Sequence, residues 1–312
     1  MNTSFEYQYK NSLERILNDG VLQATRTGID TYVVQHQDFI IPDIVNNFPI
    51  LRGKKVYPLM GLKELLWMLK GRTDVQWLRD RGVTYWDEWE QEDGTIGKSY
   101  GYQFRNFNGI DQLQYLYDNM LEDPLSRRHI LSLWNVNDLQ EMVLPPCMYD
   151  YNFNCMTVPN LGLNEDVMTN LYKVNLHAHI RSNDAFLGVP YDFMWCGWFL
   201  ILTCYWLNFN TDKHKFFPGD IYYTADNYHL YINHKTQAEQ YISNVNENKF
   251  HVIDIPTSII DTKNMYTAWE EYSDDKSLDK FLEFVEDYII KNKNIKLNNN
   301  FEYGPIKADI AV

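Results

Sequence analysis

The chain has 312 residues, enough to bury the core of one large domain or of two small ones. Its 45% hydrophobic and 15% aromatic content excludes a disordered protein. A formal net charge of −14 argues against a broad nucleic-acid or anionic-membrane surface, although a few clustered arginines could still bind a phosphate.

Alternating helices and extended segments are predicted over the first half of the chain. Apolar residues at helical spacing predict helices over 11–22, 58–70, 74–81 and 110–121. β-Branched and aromatic residues predict extended segments over 30–41, 129–134 and 150–156. Glu64 stands among leucines in the second helix. The spacing leaves open whether it points outward with Lys63 or inward, where burial would raise its pKa and suit it to proton transfer.

The second half contains the longest apolar run, residues 193–207, directly after Asp192. This run is short for a membrane span and predicts a helix buried in a protein core. Elsewhere the pattern predicts a strand over 172–180, extended segments over 220–224 and 229–233, a helix with Asn233 as its N-cap, and an amphipathic helix over 277–290. Without a repeat or a break in composition, the prediction is a single α+β domain over residues 1–312, with an antiparallel or mixed sheet.

The four cysteines have no CxxC spacing, and the first residues lack the layout of a signal peptide. Free thiols in a reducing cytoplasm are therefore expected. Cys147 follows two prolines in LPPCMYDYNF, at the start of a predicted strand. A thiol on so constrained a backbone is well placed as a nucleophile, although a lone cysteine is more often a small core residue.

Several arginines accompany this cysteine. Arg127 and Arg128 are adjacent in DPLSRRHI, Arg181 precedes Ser182, and Arg26 lies in TRTG. The adjacent pair is either an exposed basic pair or part of a phosphate clamp that the Ser182 hydroxyl completes. Such a clamp would lower the pKa of a nearby thiol.

Ten collinear motifs, from about residue 13 to residue 312, resemble thymidylate synthase. They are RTG (26–28), KELLWML (63–69), TYWDEW (84–89), SYGYQFR (99–105), DPLSRR (123–128), WNVNDLQEMVLPPC (134–147), RSNDAFLGVPYD (181–192), PGD (218–220), HLYINH (229–234) and ADIAV (308–312). The resemblance implies a thymidylate synthase-like fold, a homodimer, and a one-carbon transfer from 5,10-methylenetetrahydrofolate to a pyrimidine nucleotide. It implies no metal ion.

The resemblance also implies a role for each matching residue. Cys147 corresponds to the nucleophile that adds to ring carbon 6, Glu64 to the carboxylate that organises water and proton transfers, and Tyr100 to the tyrosine near ring carbon 5. The implied phosphate ligands are Arg26, Arg127, Arg128, Arg181 and Ser182, with the adjacent pair supplied by the partner subunit. The implied ligands of the sugar are His229 and Tyr231. The implied folate contacts are Lys54, Trp86, Trp89, Asp184, Gly188 and the closing C-terminal residue Val312.

One departure concerns recognition of the base. Where the family has asparagine, in LGxPFN, this chain has LGVPYD and therefore Asp192. A carboxylate accepts a hydrogen bond from the amino group of cytosine, whereas against uracil it would lie beside a carbonyl oxygen. Aspartate here resembles the deoxycytidylate hydroxymethylases of phages with modified DNA. In addition, Met148, Asn152 and Asn227 replace the family's His, Gln and Asp, and about 14 extra residues separate Asn154 from Tyr172.

The expected activity is therefore dCMP 5-hydroxymethylation, in which water completes the reaction, in the cytoplasm of an infected host cell if the protein is phage-encoded. Two alternatives stay open. One is dCMP methylation, or thymidylate synthesis from dUMP, with release of dihydrofolate. The other is a non-catalytic relative that binds a nucleotide or RNA.

Overall fold

The computed structural model describes residues 4–26, 28–158, 170–251 and 262–291. The helices of these segments are α1 (Phe5–Asp19), α2 (Pro58–Leu69), α3 (Val75–Arg79), α4 (Gly101–Arg105), α5 (Gln112–Glu122), α6 (Val189–Phe209), α7 (Lys235–Asn246), α8 (Thr262–Tyr272) and α9 (Leu278–Val285). A π-helical segment, Glu286–Lys291, continues α9. Short 3-10 helices cover Asp87–Trp89, Val136–Glu141 and Ile232–His234.

Six strands form one mixed sheet. They are β1 (Val21–Gln23), β2 (Thr31–Ile41), β3 (Ile130–Ser132), β4 (Met148–Val158), β5 (Asn170–Asp184) and β6 (His214–Tyr231). Their order across the sheet is β1-β2-β6-β5-β4-β3. The central pair, β5 and β6, is parallel, and the other pairs are antiparallel. The predicted α+β class with a mixed sheet is confirmed.

Helix α6 lies at the centre of the hydrophobic core. Every residue from Phe193 to Leu207 is buried, so no side of this part of the helix faces solvent. Phe199 packs edge-on against Phe153 of β4, with ring centroids 5.1 Å apart, and Phe193 stacks on Tyr223 of β6 at 4.2 Å. The predicted buried helix is confirmed. Among the described residues, no helix combines the length and hydropathy that a membrane crossing requires.

A change of phase in β5 and β6 determines which side chains reach the end of the sheet. The buried positions skip from Ile180 to Asn183 in β5 and from Ala225 to Tyr228 in β6. These residues are register partners, so both strands change phase at the same level, as stacked bulges do. At that level of β2, His36 has a φ of 59°. Beyond this level, Asn183 of β5 and Tyr228 of β6 face the core, and the polar residues next to them in each strand point to the other face of the sheet.

The segments 220–224 and 229–231 are extended as predicted, and they belong to one long strand, because β6 pairs with both β2 and β5 along its length and holds the polar stretch between them extended. Two local predictions were wrong. The helix predicted over 11–22 begins at Phe5 and ends at Asp19, and Val21 and Leu22 belong to β1. Asn233 does not cap a helix. It lies in a 3-10 turn, and α7 begins at Lys235 without a side-chain cap. The centre of the predicted insertion between Asn154 and Tyr172 lies outside the described residues.

Candidate active site

A pocket of about 870 Å3 opens at the end of the sheet where β5 and β6 finish. Most of the residues singled out in the sequence line it. They are Arg26, Glu64, Trp86, Trp89, Tyr100, Cys147, Arg181, Ser182, Asp184, Gly188, Asp192, His229 and Tyr231. Segments far apart in sequence therefore meet in one cavity, of a size typical for small-molecule sites.

The only one of the four cysteines in this pocket is Cys147. All four lie in described segments and are unpaired, and the other three are buried. Burial raises the pKa of the Cys147 thiol, and the nearby Asp192 carboxylate adds to the rise, while Arg181 and the Tyr100 hydroxyl oppose it. Arg181 therefore lowers this pKa as expected, but the pKa is raised overall, because the cost of burying the thiolate outweighs the nearby guanidinium.

Arg181 holds the backbone that carries the nucleophile. Its Nε donates to the Pro146 carbonyl and its Nη2 to the Pro145 carbonyl, each at 2.9 Å. Its backbone N–H donates to the Cys147 carbonyl at 2.9 Å, and its guanidinium lies 4.9 Å from the centre of the Trp134 ring. Because both prolines also have fixed φ, the thiol stands on a rigid segment at the start of β4.

Tyr100 approaches Cys147 from the opposite wall. The Cys147 backbone N–H donates to its hydroxyl oxygen at 3.0 Å. Tyr100 has a φ of 29° just before α4, a conformation that few non-glycine residues adopt. Such a backbone costs about 1–3 kcal/mol and concentrates at functional sites. Edge contacts with Trp86 and Trp195 hold the ring, with centroids 5.5 and 6.4 Å away.

Glu64 points inward, which decides the alternative that the sequence left open. It is only 2% exposed, and its two oxygens accept hydrogen bonds from the Tyr85 hydroxyl and Trp86 Nε1. Burial raises its pKa to about 8, although both bonds oppose the rise. Trp195 lies close enough to help lower that pKa, yet its buried Nε1 makes no hydrogen bond of good geometry within the described segments. A carboxyl group with this pKa can both donate and accept a proton near neutral pH.

Asp192 occupies the first turn of α6 and is held from the core side. Asn183 Nδ2 donates to its Oδ2 at 2.6 Å, and the Tyr223 hydroxyl lies 3.3 Å from the same oxygen. Burial raises the pKa of Asp192 to about 6, and these two groups oppose the rise. The carboxyl group therefore changes charge close to neutral pH.

Register pairs of the sheet form the floor of the pocket. Ser182 is the partner of Asn227, and Asp184 is the partner of His229. His229 Nδ1 lies 3.0 Å from Asn227 Oδ1, and burial lowers the pKa of its imidazole. A neutral imidazole beside Tyr231, with ring centroids 5.5 Å apart, offers hydrogen bonds suited to a sugar hydroxyl.

Three described residues that were singled out in the sequence do not line the pocket, namely Lys54, Arg127 and Arg128. Lys54 donates to the Phe186 carbonyl and lies 3.7 Å from the centre of the Phe186 ring, and burial lowers its pKa to about 8. Arg127 and Arg128 are exposed on the loop between α5 and β3. Val312 lies outside the described residues.

Four residues that were not singled out in the sequence contact the two carboxyl groups of the site. Tyr85 and Trp195 surround Glu64, while Asn183 and Tyr223 support Asp192. Tyr85 directly precedes Trp86 in the TYWDEW motif, and Asn183 directly precedes Asp184. For the other two, the sequence offers no signal, because Trp195 lies within an apolar helix and Tyr223 is one of several aromatic residues of β6.

A family comparison agrees with this geometry. The family model for thymidylate synthase matches residues 7–282, most of the chain.

The chain belongs to the thymidylate synthase family.

Family membership gives the general reaction, a folate-dependent transfer of a one-carbon unit to carbon 5 of a pyrimidine nucleotide.

The pocket also fits 5,10-methylenetetrahydrofolate, the co-substrate of this family. Trp86, Trp89, Tyr191 and Trp195 supply an aromatic wall on which a flat pterin ring can pack. The backbone N–H groups of Phe186 and Leu187 both donate to Asp184 Oδ1, so that Asp184 Oδ2 can accept from a donor in the pocket. At Gly188 an added Cβ would lie 3.1 Å from the Asp184 carbonyl oxygen and 3.3 Å from Asp192 Oδ2, so glycine avoids crowding both groups.

Proposed function

We propose that this protein is a dCMP 5-hydroxymethyltransferase that uses 5,10-methylenetetrahydrofolate and water. The observation that carries the proposal is the Asp192 carboxylate at the pocket wall, where other family members have asparagine. Its Oδ2 accepts a hydrogen bond from Asn183 Nδ2, which leaves Oδ1 as an acceptor for the 4-amino group of cytosine. The 4-oxo group of uracil would meet that oxygen without a shared proton.

Binding begins at the phosphate. Arg26, Arg181 and Ser182 line the pocket and would hold the phosphate, and His229 and Tyr231, which also line it, would bind the sugar hydroxyl. The phosphate is remote from the reacting carbons, so its binding energy orients the ring over Cys147. Addition of the thiolate to ring carbon 6 gives carbon 5 enamine character, which makes it a nucleophile.

The thiolate must form in spite of burial. Arg181 and the Tyr100 hydroxyl both stabilise the charged form, and Asp192 opposes it. An amino group that binds Asp192 screens this opposing charge, so binding of the base favours deprotonation of Cys147. The co-substrate supplies a one-carbon unit at the oxidation level of formaldehyde.

The choice of water for the final step rests on Glu64 and Trp195. Trp195 Nε1 is buried close to Glu64 and makes no hydrogen bond of good geometry to any described residue, an arrangement that a bridging water would complete. A water held there lies beside a carboxyl group able to remove its proton. The alternative, hydride transfer with methylation of dCMP, is favoured by the aromatic wall, because exclusion of water protects a hydride.

We also propose a homodimer in which Arg127 and Arg128 of one subunit complete the phosphate site of the other. Both side chains are exposed and lie outside the pocket of their own chain. The polar face of the sheet carries exposed apolar residues, among them Ile40 at 52% and Met156 at 55% exposure. A two-fold interface on this face would bury them and exchange the arginines.

The direct test is to incubate the protein with methylenetetrahydrofolate and either dCMP or dUMP, and to identify the product by mass while dihydrofolate is followed by absorbance. We expect 5-hydroxymethyl-dCMP and no dihydrofolate. Methylated dCMP with dihydrofolate would identify a methyltransferase, and thymidylate from preferred dUMP would contradict the reading of Asp192. A non-catalytic relative would show no turnover in either reaction, and Cys147→Ala would leave its nucleotide binding and function intact.

A further inference from the structure

Behind Asp192, on the core side of the sheet, lies a pair of polar residues with no place in the reaction described above. Asn183 of β5 is 2% exposed and Tyr223 of β6 is 1% exposed, and neither lines the pocket. The Tyr223 hydroxyl donates to Asn183 Oδ1 at 2.7 Å, and Asn183 Nδ2 donates to Asp192 Oδ2 at 2.6 Å. Burying a polar side chain costs free energy unless it is hydrogen-bonded, and this series of hydrogen bonds offsets that cost for Asn183 and Tyr223.

The chain of bonds fixes the orientation of the asparagine amide. Because Tyr223 donates to Asn183 Oδ1, the amide NH2 group must face Asp192. The reversed amide would bring two oxygens to within 2.6 Å of each other and leave the carboxylate without its donor. Tyr223 is in turn held by packing, stacked on Phe193 at 4.2 Å and edge-on to Phe39 at 6.0 Å.

We propose that Asn183 and Tyr223 are positioning residues that determine base specificity. Asn183 donates to Oδ2 of Asp192, and Tyr223 holds the Asn183 amide in the orientation that allows this bond. Oδ1 alone is then presented to the ring, as an acceptor that selects a 4-amino over a 4-oxo pyrimidine. The inference rests on the proposed function, and extends it from the residue that meets the base to the buried pair that sets its state.

Charge balance around the carboxyl group supports this role. Burial and the nearby Asp184 both oppose ionisation of Asp192, whereas Asn183 and Tyr223 are the two groups that favour the ionised form. Without them the carboxyl group would stay protonated to higher pH and could donate to a carbonyl oxygen, which removes the selection against uracil. The other titratable groups that interact with Asp192 are Glu64, Tyr85, Tyr100, Cys147, Tyr151 and Cys196.

The test compares Asn183→Ala and Tyr223→Phe with a matched control, Tyr228→Phe. Tyr228 is also a buried tyrosine of β6, but its hydroxyl bonds to Ser12 and not to Asp192. For each protein, kcat/KM is measured for dCMP and for dUMP from pH 5 to pH 9. The titration of Asp192 is followed by carbon-13 NMR of labelled aspartate, assigned by difference from Asp192→Asn.

We expect the dCMP-to-dUMP ratio of kcat/KM to fall about tenfold or more in both variants, as loss of a bond to a charged group requires. The Asp192 titration should move about one pH unit higher, and the control should match the wild type in both respects.

If a wild type that prefers dCMP keeps its ratio and titration in both variants, the inference is overturned and the proposed function stands. An equal loss of kcat/KM for dCMP and dUMP, with an unchanged Asp192 titration, would likewise overturn it, since that result is expected of residues with a merely structural role. A wild-type preference for dUMP would overturn the proposed function and the inference together.

Discussion

Two carboxyl groups, those of Glu64 and Asp192, line the pocket, and burial raises the pKa of both. Elevated pKa values of this kind are expected where a site moves protons. The sequence identified both residues, through an acidic residue among leucines and through a departure from a motif. The sequence did not give the pKa of either carboxyl group or of the Cys147 thiol, because each pKa depends on burial and on partners that other helices and strands contribute.

The pKa of Glu64 makes stability depend on pH. A glutamate that titrates near pH 8 when folded, instead of at its ordinary 4.5, binds more protons folded than unfolded between those values. Its contribution to the free energy of unfolding therefore falls as pH rises through this window and levels off above pH 8. Glu64→Gln removes the loss, while its amide can still pair with Trp86 and Tyr85.

We therefore expect the free energy of unfolding of Glu64→Gln, relative to wild type, to increase by up to roughly 4 kcal/mol between pH 5 and pH 8. Urea denaturation at several pH values measures it. The exposed Glu271→Gln should track the wild type throughout. A constant difference between Glu64→Gln and wild type would show that Glu64 is ionised across the window.

At the scale of elements, periodicity predicted most helices and strands to within a few residues, including α2, β2 and α6. It failed where tertiary contacts dominate. Pairing on both sides kept β6 extended through a polar stretch that resembles a turn, and the shared phase change of β5 and β6 has no signature in either strand alone. The side of α2 that Glu64 faces was equally undetermined, because most residues of that helix are buried.

The C-terminal elements are tied to α2 by a buried ion cluster. Glu286, at the start of the π-helical segment, pairs with Lys70 just after α2 and with Arg81 just after α3. Arg81 also lies 3.7 Å from the centre of the Trp77 ring. These contacts lower the pKa of Glu286 in spite of its burial.

Glu286→Ala leaves two partly buried cations without their partner, and we expect it to cost about 3–5 kcal/mol in the free energy of unfolding. Glu283→Ala is the matched control on the preceding turn. Its exposed pair with Lys280 should contribute no more than about 0.5 kcal/mol. Urea denaturation of the three proteins at pH 7 decides between them, and equal stabilities would mean that the cluster does not anchor the segment.

For the whole molecule, the order of the motifs was the most informative signal in the sequence. Residues from Arg26 to Tyr231 meet in one pocket, as expected for a member of the thymidylate synthase family. The position of Arg127 and Arg128 could not follow from one chain, because their proposed ligand lies in a second subunit.

Subunit exchange tests the shared site. Cys147→Ala and the double variant Arg127→Ala/Arg128→Ala should each be nearly inactive alone. Mixed in equal amounts and allowed to exchange, half of the dimers would carry one intact site, which restores about a quarter of the wild-type activity. Light scattering gives the oligomeric state. Absence of recovery in a mixture that does form heterodimers would contradict the arginine exchange.

The central claim is that Asp192 reads the base, and its most direct test is the dCMP-to-dUMP ratio of kcat/KM in wild type and in Asp192→Asn. We expect the wild type to favour dCMP and the variant to favour dUMP, since an amide can donate to the 4-oxo group and accept from the ring N–H. A variant that still prefers dCMP would contradict the account.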